Sequence, residues 1–174
     1  MVSDLSALKT AVFGDLEREL EVTRKALAAA PEGQQAWKPH EKSMSLERLA
    51  LHVATLPGWC RATLAADELD FASAPRSPGS YKDVAELLGV FDKEAVGLRE
   101  VVANFDMKNW EKDWTMRNGE QVIVTKPRPF VWRVWCVNHM VHHRGQLALY
   151  LRLLNVAVPT IYFNTADKPE MVFE

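Results

Sequence analysis

Residues 130–154 read FVWRVWCVNHMVHHRGQLALYLRLL. Apolar side chains recur at helical steps and spread around much of the circumference, which predicts a helix at the centre of a helical protein. Asn155 can end it, because Asn tolerates the left-handed backbone, and Pro159 lies just beyond. Within this stretch sit His139, His142 and His143, three of the five histidines in the chain. A buried helix needs partners, and the preceding sequence supplies three.

Residues 3–29 place Leu5, Leu8, Val12, Leu16, Leu20, Thr23 and Leu27 at steps of three and four, a first long helix. Ser3 or Asp4 can cap it, and Pro31 and Gly33 stop it. After a polar loop holding Trp37 and Pro39, Ser45 is the N-cap of a second helix, LERLALHVATLPGWCRATLAADEL. Glu47 suits its positive end, and Pro57 is expected to kink or divide it. Leu49, His52, Val53, Leu56 and Trp59/Cys60 form one face, so His52 points with apolar side chains. The connector DFASAPRSPGS leads to Ser80 and Asp83, which resemble a capping box. A third helix follows to about Phe105, with Val84, Leu87, Leu88, Phe91, Ala95, Leu98 and Val102 on its apolar face. Asn118-Gly119 between WTMR and EQVIV predicts a β-hairpin. Four helices with a hairpin between the third and the fourth predict an all-α, four-helix bundle, one domain over residues 1–174.

Composition narrows the function. The chain has 48% hydrophobic and 25% charged residues and a net charge of -2, with basic residues scattered among acidic ones. That is a soluble globular balance without the basic stripe of a nucleic-acid binder. Cys60 and Cys136 are too few for a disulfide framework and fit a reducing compartment. MVSDLSALKTAVFGDLERELE shows no basic segment leading into an apolar run, and no stretch is apolar enough to span a membrane. A cytoplasmic protein with neither nucleic acid nor membrane as partner is expected.

On an α-helix, residues four apart lie about 40° apart around the axis and one turn along it. His139 and His143 are so spaced, and their imidazoles can meet at one point. Two ligands make a weak site. His52, mid-helix on another apolar face, is the best third, whereas His40 sits in a polar loop and is assigned to the surface. His142 falls to one side, beside the ligands or at an interface. Neutral imidazoles suit Zn, Ni, Fe or Cu, and three of them on Zn leave a position open. The competing reading is a bundle whose histidines are core residues satisfied by single hydrogen bonds. A haem site fits less well, since its ligands would face one another from opposite helices.

HMVHHRGQLALYLRLLNVAVPTIY resembles the closing signature of the DinB/YfiT-like family, and AWKPHEKSMSLERLALHVATLPGW resembles its earlier one. The resemblance covers nearly the whole chain. It implies a bundle in up-down-down-up order, often a homodimer, with a divalent metal on His52, His139 and His143. It also implies kinship with thiol-dependent transferases and hydrolases that use low-molecular-weight thiols.

Such a site lowers the pKa of a bound water and deprotonates a bound thiol. The expected function is hydrolysis or S-transfer on a small molecule, with Zn or Ni placed before Fe or Mn. The alternative is a non-catalytic metal- or ligand-binding dimer. Gln146, one turn from His142 and His143, can orient a ligand histidine or a substrate. Tyr150, on the face of His143, and His142 are the other candidates for supporting roles, with core packing the stronger reading for Tyr150. Arg144 is expected to pair with an acidic residue of a neighbouring helix, and Gly145 suggests a close helix crossing. Trp132 and Trp135 can wall a pocket or fill the core, and Cys136 can compete as a ligand.

Overall fold

Asp4 opens the first helix, its carboxylate accepting from the backbone N–H groups of Ser6 and Ala7. The structure, a computed structural model, describes residues 4–74 and 79–169. Residues 1–3, with the cap candidate Ser3, part of the 70–80 connector and the last five residues lie outside that range. The expected single helix over 3–29 is two, α1 (Leu5–Phe13) and α2 (Leu16–Ala28). The break falls at Gly14-Asp15, two poor helix formers, where ψ of Asp15 relaxes to -3°.

Ser45 caps α3 (Leu46–Ala65), its Oγ accepting from the Arg48 N–H at 3.2 Å. Pro57 does not divide this helix. Its ring is buried and α3 runs through it unbroken. The helix ends sooner than the LERLALHVATLPGWCRATLAADEL run suggests, because Glu68–Asp70 form a strand, β1. The next helix, α4 (Val84–Asn104), is capped by Asp83 and not by Ser80. Asp83 accepts from the Glu86 N–H, and the Glu86 carboxylate accepts from the Lys82 N–H, both at 2.8 Å.

The hairpin is β2 (Asp113–Asn118) and β3 (Gln121–Pro127). Asn118 pairs with Gln121, so the corner residues are Gly119 and Glu120, and Gly119 takes the positive φ of 59°. β1 adds parallel to β2, giving a three-stranded sheet in the order β1-β2-β3. Asp70 Oδ1 accepts from the Gly119 N–H at 2.8 Å and ties the hairpin tip to β1.

The final helix begins with α5 (Arg128–Phe130), continues as a π-helical segment (Val131–Val137) and ends as α6 (Asn138–Leu153). The Asn138 N–H reaches the carbonyl of Arg133, five residues back. Asn155 at φ 58° ends it, with Asn155 N–H to Arg152 and Val156 N–H to Leu151, the two bonds of a Schellman ending.

α3 packs against α4, α6 and α2, and α2 also touches α4 and α6. Their shared core includes Leu20, Leu27, Leu49, Val53, Leu87, Phe91, Leu98 and Leu147, all essentially without solvent contact. Each such side chain contributes about 1.5–3 kcal/mol on burial. Two arginines lie in this interior. Arg128 donates to the carbonyls of Thr63, Ala66 and Asn109 and pairs with Asp67, joining the end of α3 to the start of the last helix. Arg144 pairs with Glu19 at 2.7 Å, donates to Thr23 and meets the Tyr162 hydroxyl, fastening α6 and the tail to α2. The protein is thus mostly helical with a small sheet. Among the described residues, no helix is long and apolar enough to cross a membrane.

Candidate metal centre

α3 and α6 pack face to face, and that contact brings His52 to His139 and His143. One ring nitrogen from each of the three lies within 4.8 Å of the other two. His52 Nε2 and His139 Nε2 are 3.1 Å apart. The ring centroids are 4.4 Å apart for His52 and His143 and 4.7 Å for His139 and His143. Four-residue spacing within α6, below the π segment, accounts for the second pair. All three rings are half-buried.

The opposite edges of two rings are already committed. His143 Nδ1 is 2.7 Å from Gln146 Oε1, and His139 Nδ1 is 3.3 Å from the Trp135 carbonyl oxygen. A carbonyl or amide oxygen can only accept, so each contact places a proton on Nδ1 and leaves Nε2 with its lone pair. Burial holds all three rings below the ordinary imidazole range. For His52, burial together with His143 and His139 lowers the pKa to about 4. His139 and His143 are also lowered, chiefly by burial, although the Trp135 carbonyl and Gln146 pull the other way. The cluster is therefore neutral at pH 7, the state that binds metal. Three neutral nitrogen donors at these separations fit a first-row divalent ion, whose tetrahedral nitrogen–nitrogen edge is about 3.3 Å.

The other candidates disperse. His142 is exposed, 4.8 Å ring to ring from His143, and outside the cluster. Tyr150 is buried against Trp37, and its hydroxyl donates to the Met44 carbonyl at 3.1 Å, so the fold does not bring it to the histidines. Cys136 is buried against Thr63, away from the ligand group. Trp132 packs on Phe13 in the core, while Trp135 lines a cavity. No close helix crossing explains Gly145, because a Cβ there meets nothing within 4 Å. His40 is on the surface, accepting from the Lys42 N–H.

Two cavities border the cluster. One of about 710 Å³, between α3, α4 and β1, is lined by both His52 and His139. The other, of about 510 Å³, lies toward the hairpin and is lined by His139 and His142. Trp59 lines both. Trp114 backs it from β2, fully buried, with ring centroids 5.8 Å apart. The sequence reading missed this indole wall, although an aromatic residue at an inward strand position is a signal for it.

The DinB family model matches residues 7–171. No match was found among curated proteins. Among solved structures, a DinB-like protein from Bacillus subtilis is similar with a TM-score of 0.68 and 14% identity, over 87% of this chain and 96% of that one. A DinB-like protein from Bacillus cereus is similar with a TM-score of 0.67 and 17% identity, over 87% and 95% of the two chains.

Proposed function

This chain belongs to the DinB family, and from that membership we propose that His52, His139 and His143 hold one divalent transition metal ion in an enzyme acting on a small molecule. Zn and Ni suit the three imidazoles best, with Fe or Mn next. The ion would supply a lowered pKa to a bound water or low-molecular-weight thiol, for hydrolysis or S-transfer. In this reading α1 and α2 together form the first arm of an up-down-down-up four-helix bundle, and the protein works as a cytoplasmic homodimer.

One observation carries the proposal. Gln146 and the Trp135 carbonyl fix two imidazoles with unprotonated Nε2 atoms, in a cluster whose third member has a Nε2 3.1 Å from one of them. Histidines serving only as core residues would spend such lone pairs on protein donors. The remaining parts are played by the chain itself. Trp59 and the apolar residues of the larger cavity line one side of the cluster, and the cavity gives a substrate room beside it.

Elemental analysis of the protein purified without a histidine tag tests this. About one transition metal per chain is expected, absent from His52→Ala, His139→Ala and His143→Ala and kept by His142→Ala. Metal retained by His143→Ala but lost from His142→Ala would overturn the ligand set. A protein that takes up no Zn, Ni, Mn or Fe would overturn the metal reading itself.

A further inference from the structure

The larger cavity has a charged end. Its histidine end is set by His52 and His139, and its far end by Arg61 of α3 and by Lys93 and Glu94 of α4. Arg61 lies nine residues beyond His52, about 13 Å along the helix axis. Between them the walls are apolar, with Leu56, Leu69, Val90 and the stacked pair Trp59 and Phe71, whose rings are 6.1 Å apart and 14° from parallel.

The charged end is built into the helix contact. Arg61 Nη2 and Glu94 Oε2 are 3.1 Å apart. A Cβ on Gly58 would lie 2.4 Å from Glu94 Oε2, and one on Gly97 would lie 2.4 Å from Arg61 Nη1. Both glycines therefore open the notch that the pair occupies. Glu94 meets the guanidinium by this one charge contact, without hydrogen-bond geometry, and among the described residues no other acceptor meets Arg61. Lys93 is exposed and has no partner there. Two cations against one carboxylate leave the end one positive charge in excess, with a free guanidinium edge suited to a carboxylate.

We propose that this cavity takes an elongated anionic small molecule, its carboxylate on Arg61 and Lys93, its apolar middle over Trp59 and its other end at the histidines. The proposal deepens the metal-enzyme reading and rests on it for what happens at the histidine end. Arg61 and Lys93 then determine specificity, choosing among substrates by charge at a fixed distance from the cluster.

The test is a molecular ruler. Binding of ω-thiol acids and their matching ω-thiol alcohols to the cobalt-loaded protein is followed by thiolate-to-cobalt absorbance. Chain length alone strengthens apolar contacts, so the readout is the acid-to-alcohol affinity ratio at each length. The ratio should be close to one for mercaptohexanoate, which is too short to reach Arg61. It should be about ten-fold in favour of the acid for mercaptoundecanoate, and fall to near one in Arg61→Gln and Lys93→Gln. A ratio that survives both substitutions, or does not depend on length, overturns the proposal while leaving the metal reading intact. Undecanoate and undecanol, titrated calorimetrically, need no metal and separate the two failures. A charge preference there, abolished by Arg61→Gln, upholds the anion site even in a protein that takes no metal. Equal binding of the two overturns it.

Discussion

Gln146 touches a single histidine, and through it decides which nitrogen that ring offers. Its Oε1 accepts from His143 Nδ1 at 2.7 Å. Gln146→Ala should therefore weaken metal binding by about 10- to 100-fold, read by competition with a chromophoric chelator. An unchanged affinity would mean that packing alone orients the ring. The same burial sets a pH dependence. In the unfolded chain each histidine titrates near about 6.5, whereas folding lowers His52 to about 4 and lowers His139 and His143 as well. Between those values the unfolded chain binds more protons, so folding stability rises with pH. The Tm of chelator-treated protein should be flat above about pH 7 and fall progressively toward about pH 4. A flat Tm through that window would mean the rings are not held neutral. At this scale the sequence was informative about the ligand candidates, since i,i+4 spacing within one helix is local geometry. It could not show that Tyr150 turns to Met44, because that depends on where the 30–45 loop packs.

Gly145 lies within α6 with open space where a side chain would be. Gly145→Ala should stabilise the protein by about 1 kcal/mol, from the lower conformational freedom of the unfolded chain and the better helix propensity. Urea unfolding would show it, and a loss of stability would point to a close approach by another copy of the chain. The elements were legible where periodicity is long. α4 and the hairpin are where the pattern puts them, and Ser45 is the cap of α3. Three short-range features escaped. The Gly14-Asp15 break interrupts a run whose apolar spacing continues across it. β1 has three residues, too few to show alternation, and forms only because β2 lies beside it. The π segment is invisible to a fixed 100° step, which carries Trp132 round to the His139 face, while the structure turns it to Phe13. π segments often adjoin functional sites, and this one runs directly into the residue before His139.

At the scale of the molecule, Arg128 joins parts that are distant in sequence. From α5 it reaches Thr63, Ala66 and Asn109. Arg128→Met should cost about 3 kcal/mol in urea unfolding, since several buried carbonyl oxygens lose their donor together. A change within experimental scatter would show that water replaces it. No sequence pattern marks such a residue, because its partners are backbone oxygens available at any position. The helical class followed from four long periodic runs, but the crossover that lays β1 beside β2 depends on packing across the whole chain. One further consequence concerns the two cavities that share His139 and Trp59. A centre reached from two sides lets one molecule arrive while another is already seated. For the proposed transfer this favours a ternary complex over a ping-pong exchange, so double-reciprocal plots would intersect and the two substrates could bind in either order.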